Sequence, residues 1–310
     1  MGVEKGRKFG LIGTITHDTI TFDSGEKREG PGGVLYQAAV LCALRKEVVL
    51  FTHVGEELVH DVEKIIRKWS SLTTENIRVV PGPGNRVRLH YPEQGERIEI
   101  LESVVPPLPS EPILEKLPLL SLLILIVNSG FDIDLKEWRR LVRAAECPLW
   151  IDIHSLPLAR KLNARREYLS FSEWEDWAEG VHFVQANRKE IASMLGHPQK
   201  LAAQSEIMRL GEEAFRLGVK ALFITLGREG VMVLTPERSD RLTPVEKGEV
   251  VDTTGCGDVF CAAAASKIID GESLLEAASH GISLASKAAS VHGVEETYRL
   301  IQAIEEIQDE

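Results

Sequence analysis

Between Leu117 and Val127 the only polar side chain is Ser121, and so apolar a run limits what the chain can fold into. Pro118 interrupts it and it is too short to span a bilayer, so it reads as a strand buried on both faces. Strands of that kind belong to parallel sheets covered on either side by helices. The chain supplies more of them in a relay. Leu122–Val127, Leu149–Ile153, Gly180–Gln185, Ala221–Leu226 and Val231–Leu234 read as strands, interspersed with helical patterns at Leu135–Ala145, Arg188–Leu195 and Ala202–Leu217. This rhythm predicts an α/β body.

Upstream, Phe9–Ile15 is expected as a first strand, Asp18–Phe22 as a second short one and Glu47–Val54 as a third. Gly30–Gly33 reads as a sharp turn opening an Ala-rich helix to about Leu44, and Glu57–Trp69 as an amphipathic helix. Residues 16–31 and 86–104 depart from the rhythm. Their polar alternation predicts a small antiparallel sheet set apart from the body, with 86–91 and 97–104 forming a hairpin around Pro92–Gly95. Pro106, Pro107, Pro109 and Pro112 mark a linker. Residues 155–180, with Tyr168, Phe171, Trp174 and Trp177, read as a helical insertion whose aromatics pack. Helices from Ser273 to Val291 and from Glu295 end the chain. One domain over 1–310 accounts for the whole.

The 44% hydrophobic and 27% charged residues are those of an ordinary soluble protein. A formal charge of −11 argues against nucleic acid and against an anionic membrane surface. Cys42, Cys147, Cys256 and Cys261 have neither zinc-type nor paired spacing, which suits a reducing, cytoplasmic setting, and no apolar signal-type segment precedes the first strand.

The chemistry concentrates in Val250–Ala264, V-V-D-T-T-G-C-G-D-V-F-C-A-A-A. Val250 and Val251 read as the end of a strand, Gly255 and Gly257 as an open turn, and Val259–Ile269 as a buried helix. The first amides of that helix lack intrahelical partners and sit at the positive end of the macrodipole, which makes a socket for phosphate. Asp258 stands on its rim, either to handle a proton beside the phosphate or merely to complement the dipole. Ligands of an open parallel sheet bind beyond the carboxyl ends of its strands. Thr14–Asp18, Asn128–Gly130, Asn187–Glu190 and Thr225–Gly230 fall at such ends. Each also has a plainer reading: a solvated carboxylate, a capping box for Asn187 and Glu190, a turn for Thr225–Gly230.

Taken together, these stretches resemble the ribokinase-like (PfkB-type) carbohydrate kinase family over nearly the whole chain. Asp252-Thr-Thr-Gly-Cys-Gly-Asp258 is similar to its D-T-T-G-A-G-D signature, with Cys256 in place of alanine. Gly13–Asp18 resembles its first-strand motif, Gly32–Ala39 its G-G-x-x-x-N-x-A turn, Asn187-Arg-Lys-Glu190 its N-x-x-E, and Thr225–Gly230 its T-x-G-x-x-G loop. The resemblance implies a three-layer α/β/α fold, mostly parallel, with residues 16–31 and 86–104 as a lid. It implies ATP-dependent transfer of a phosphoryl group to a hydroxyl of a sugar or sugar derivative. Asp258 would be the base, and Gly255, Cys256 and Gly257 the anion hole. Asp18, Gly32, Gly33 and Gln37 would face the substrate, while Asn187, Thr225, Gly227 and Gly230 would face the nucleotide. Asn187 and Glu190 would hold Mg2+ partly through water, and Asp252 and Thr254 a monovalent cation such as K+. Relatives often pair through the lid, so a homodimer is also implied; an edge covered within one chain would show the same apolar face.

The departures lie on the substrate side. Gln37 replaces asparagine, Val34 stands where ribokinase has lysine, and Thr16 replaces an asparagine. Ile282 falls where an adenine-side asparagine is common, and His154 follows Asp152 where D-x-N is usual; a structural role at a helix start is the plainer account of it. Ribose is therefore not the expected acceptor. A nucleoside kinase of the same family and a non-catalytic sugar-binding regulator remain as alternatives. A P-loop kinase is excluded by the lack of G-x-x-x-x-G-K-[ST], and a dinucleotide dehydrogenase by the late, incomplete glycine motif.

Overall fold

The computed structural model describes residues 8–93, 97–244 and 250–308. Positions 94 and 95 of the expected lid turn, and the first seven residues, lie outside them. The chain starts with β1 (Lys8–Ile12) in a main sheet. It crosses to a second sheet with β2 (Ile15–Phe22) and β3 (Lys27–Gly33), and returns through α1 (Leu35–Ala43), β4 (Glu47–Gly55) and α2 (Val59–Ile66). Two short strands, β5 (Leu72–Thr73) and β6 (Ile77–Val80), pair with β4 before β7 (Asn85–Tyr91) and β8 (Ile98–Ser103) complete the second sheet. Then come α3 (Glu111–Lys116), β9 (Leu120–Ile126), α4 (Leu135–Ala144), β10 (Leu149–Asp152) and α5 (Trp174–Ala178). These are followed by β11 (Phe183–Asn187), α6 (Arg188–Met194), α7 (Gln204–Arg216) and β12 (Ala221–Thr225). The strands β13 (Val231–Leu234) and β14 (Ser239–Leu242) and the helices α8 (Cys256–Asp270), α9 (Leu274–Ala288) and α10 (Gly293–Gln308) follow.

The main sheet runs β14-β13-β12-β11-β10-β9-β1-β4-β5, with β6 also on β4; only β13 and β14 are antiparallel. The apolar run is β9, near its middle. Leu122, Ile124 and Ile126 enter the core under α1 and α8, and Leu123 and Leu125 the core on the opposite face, as the period of two requires. Trp150 of β10 and Phe223 of β12, on either side of β11, stack at 4.8 Å and 3°, worth about 0.5–1.5 kcal/mol beyond their buried area. On the second face, α4 turns Trp138 and Leu141 inward, and the Trp138 indole donates to Trp177 O at 3.0 Å. The α8 helix is apolar nearly all round and correspondingly buried, and it stops at Gly271 with φ +96°. Among the described residues no helix is long and apolar enough to cross a membrane.

The lid sheet has the order β3-β2-β7-β8, with the outer pairs antiparallel and the central β2–β7 pair parallel. Its apolar face, Ile20, Val87, Leu89 and Leu101, is buried within the chain, and residues 162 and 165 bridge to the β8 edge. Part of that face is thus covered within the chain itself. Thr14 marks the crossing between sheets. Its amide and hydroxyl both donate to Asp132 Oδ1 (3.0 and 2.5 Å), and the hydroxyl accepts from Asn85 Nδ2 at 2.5 Å.

Several local expectations are corrected. Ile15 belongs to the lid strand, since Gly13 and Thr14 end β1 early. Gly30–Gly33 is not a turn but the end of β3, an edge strand where Pro31 costs no ladder bond. Residues 155–180 form one short helix, α5; the rest is irregular, with residues 162 and 165 bridging to β8 of the lid and Leu156 and Phe171 packing in the main-sheet core. Val250 and Val251 are not in a strand, and Val250 is exposed.

Candidate active site

Two cavities open beyond the carboxyl ends of the parallel strands. The larger, about 660 Å³, is bordered by Asn187 and Glu190 after β11, Thr225, Gly227 and Gly230 after β12, and an apolar wall of α9 that includes Ile282 and Ala285. The smaller, about 60 Å³, lies under the lid between Asp18, Gly33, Tyr36, Glu99 and Thr254. Arg97, His154, Gly255 and Asp258 line both.

The dividing wall is the turn into α8. Gly255 caps the helix with φ +80°, and a Cβ there would lie 2.4 Å from the Tyr36 ring, so the turn closes only on glycine. The Cys256 amide donates to Thr253 O at 3.3 Å and its thiol points to Ala285 O, so of the three expected anion-hole donors this one is already engaged. Gly257 lines the large cavity, and Gln185 of β11 fixes it by donating to Gly257 O at 3.0 Å and to Asp152 Oδ2 at 3.1 Å.

Asp258 is buried. Burial first, and the Asp18 carboxylate second, push its pKa up to about 7, while the Gln37 amide at 3.4 Å works the other way. Asp18 is pushed up to about 6, again by burial first, with the Thr16 hydroxyl opposing and Glu99 adding. Gly32 explains how Asp18 is seated: a Cβ on Gly32 would stand 2.1 Å from Asp18 Oδ2. Gln37, expected on the substrate side, lines neither cavity; it is fully buried and reaches Asp258 instead.

Asn187 and Glu190 form the capping box and border the large cavity as well. Glu190 accepts from the Asn187 amide at 2.7 Å, and Asn187 Oδ1 accepts from Lys189 and Glu190 amides at 2.8 and 3.0 Å. Burial pushes Glu190 up to about 8, and Asp152 is raised by burial and then by Glu190 and Asp258. With its oxygens used by the cap, Glu190 suits a magnesium ion held through water rather than directly. Among the described residues no group of three or more His, Cys, Asp or Glu side chains is arranged to hold a metal ion. Asp252 lines neither cavity: its carboxylate accepts from the Thr254 amide at 2.8 Å and otherwise faces Arg28 (3.8 Å) and His292 (3.6 Å).

Four residues around the small cavity carry no motif. Glu99 lines it from the lid and is held by Arg166, fully buried, at 2.9 Å and by Arg97 at 3.1 Å. Arg166 also donates to Ser129 O at 2.9 Å. His154 adopts φ +37°, in a turn rather than at a helix start, with burial lowering its pKa. Only Asp152-x-His154 was visible in the sequence; the ion pair joins residues 67 apart and leaves no local pattern.

Residues 159–299 match the family described as pfkB family carbohydrate kinase. A 113-residue stretch is 32% identical to the bifunctional protein HldE of Stutzerimonas stutzeri, covering 36% of this chain and 22% of that protein; the chain thus spans about a fifth of that relative's length. In fold, the chain is similar to a probable sugar kinase from Rhizobium etli, with a TM-score of 0.76, 18% identity and coverage of 98% and 99% of the two chains. It is likewise similar to Arabidopsis thaliana ribokinase complexed with ribose and ATP, at a TM-score of 0.73, 16% identity and coverage of 96% and 98%. Residues 159–299 thus match the pfkB family of carbohydrate kinases, and the chain as a whole has the three-layer α/β/α fold of ribokinase.

Proposed function

We propose that the protein transfers a phosphoryl group from ATP to a hydroxyl of a sugar or sugar derivative, with the nucleotide in the large cavity and the acceptor in the small one. The observation that carries this reading is Asp258, a buried carboxylate with a pKa near 7 in the wall the two cavities share. A base there takes the proton of the attacking hydroxyl at the point where acceptor and donor meet. Asp18 accepts hydrogen bonds from the acceptor's other hydroxyls and orients it. The amide of Gly257 and the helix dipole behind it face the transferred phosphate. Asn187 and Glu190 would hold a nucleotide-bound magnesium ion through water, and such an ion would supply neutralising charge on the phosphates. The lid keeps water from the junction.

A nucleoside acceptor is the second reading, because Tyr36, Val87 and Leu89 give the small cavity an apolar side. ATP turnover on a panel of sugars, sugar derivatives and nucleosides tests both. Phosphorylation of a sugar supports the first reading, and phosphorylation confined to nucleosides supports the second. Saturable ligand binding without any turnover would make the protein a regulator on a kinase scaffold.

A further inference from the structure

Four oxygens around Asp252, where the family resemblance places a monovalent cation, already have partners. Ala289 O accepts the amides of Val251 and Asp252 at 2.8 and 3.0 Å. Thr254 Oγ1 lies 3.0 Å from the Tyr91 hydroxyl. One oxygen of Asp252 holds the Thr254 amide, and the other faces Arg28, a lid residue of β3. A potassium ion is held by several oxygens at once, and at these four it would compete with partners the fold already supplies.

The geometry points to Arg28 as the resident cation of the catalytic turn, in place of a bound monovalent ion. Its guanidinium divides its donors: Nε and Nη2 go to Glu26 (2.6 and 2.5 Å), which leaves Nη1 for the Asp252 side. There Nη1 also bonds His292 Nδ1. Arginine keeps its proton, so His292 Nδ1 accepts and cannot at the same time donate to Asp252. Arg28 is therefore the charged partner of that carboxylate. At 3.8 Å the pairing is a charge contact without a hydrogen bond, but Asp252 is only 4% exposed and Arg28 22%, so solvent screens it little.

A closed circuit of contacts ties this cation to the lid. Arg28 lies over the Phe22 ring at 4.9 Å, Phe22 stacks on Tyr91 at 5.6 Å, and Tyr91 reaches Thr254. Both ends of the circuit land on Asp252–Thr254, immediately before the Gly255 cap. The lid therefore delivers the charge that a soluble ion would bring, and the turn is set only while β3 and β7 are in place. Arg28 is a positioning residue, acting through Asp252.

The test uses melting temperature of the ligand-free full chain, so it stands whether or not the proposed kinase reading holds. Thermal unfolding is compared in KCl, NaCl and tetramethylammonium chloride at matched ionic strength. The wild type should melt at the same temperature in all three; a rise specific to potassium would overturn the proposal. Arg28→Gln should melt lower and gain a potassium-specific rise, and Arg28→Lys should restore wild-type behaviour. Wild-type melting of Arg28→Gln in every salt, or a loss that neither lysine nor potassium reverses, would sink it. If the protein turns over ATP, the same salts should leave wild-type turnover unchanged while potassium reactivates Arg28→Gln; failure of turnover alone refutes the kinase reading and not this one.

Discussion

After burial, the Asp18 carboxylate is the group that does most to hold a proton on Asp258, and both line the small cavity. An acceptor hydroxyl bound between them meets one group that orients and another poised near neutrality. A base must be deprotonated to act, so turnover is expected to rise with pH along a limb centred near 7. Asp258→Asn should lower kcat roughly a hundredfold to ten-thousandfold and erase that limb, with nucleotide affinity largely kept. A pH–rate profile of both proteins checks it; wild-type rate in the variant would remove Asp258 from the chemistry.

The same raised pKa sets a stability effect of defined sign. The folded chain holds the Asp258 proton to about pH 7, whereas the unfolded chain releases it near its ordinary value. The stabilisation is complete below the unfolded pKa and is lost as pH rises through the folded one. Asp258→Asn should therefore become progressively more stable than the wild type from about pH 4 to pH 7, then hold a constant margin. Urea unfolding across that range measures it. A margin that shrinks with pH would contradict the burial argument.

Gly257 separates a ligand's demand from the fold's. A Cβ at this position finds only Gln185 Nε2, at an ordinary 3.7 Å, so packing does not demand glycine there. Gly257→Val should keep a near-native melting temperature and lose nucleotide affinity and turnover, because its side chain enters the large cavity. Isothermal titration with ATP decides it, and unchanged affinity would rule out the phosphate site.

Arg166 and Glu99 make a different prediction. Removing one partner of a buried ion pair leaves the other charge uncompensated, at a cost of about 3 kcal/mol, the low end of the usual range because Arg97 still faces Glu99. Arg166→Met should show that loss and raise KM for the acceptor more than for ATP. Adding Glu99→Gln should recover part of the stability, which a double-mutant cycle reads directly. Independent, additive effects would show that the pair does not act as a unit.

What the sequence displayed was whatever is local. The alternation of apolar runs revealed the main sheet because each β-strand carries its own period, and the glycines and Asp258 stood out because their turn is contiguous. Pro31 and its glycines suggested a turn because sequence alone cannot tell an edge strand from a break. Phe171, Trp174 and Trp177, three residues apart, mimicked a helix face although only the last two lie in a short helix. Arg28, Glu99 and Arg166 act through partners far along the chain, and nothing near them announces it. Gln37 was noticed, but its contact with Asp258 spans 221 residues and only the fold reveals it.

Thr14 joins the two sheets through Asp132 and Asn85, with Asn85 in turn accepting from the Val105 amide at 2.6 Å. Anyone grafting this cap onto another scaffold would have to transplant the knuckle beneath it: a cap cut at residue 15 would carry the Asn85 amide away from the Thr14 hydroxyl and from the Asp132 carboxylate that holds it. The unit that can be exchanged between such proteins is accordingly larger than the visible cap.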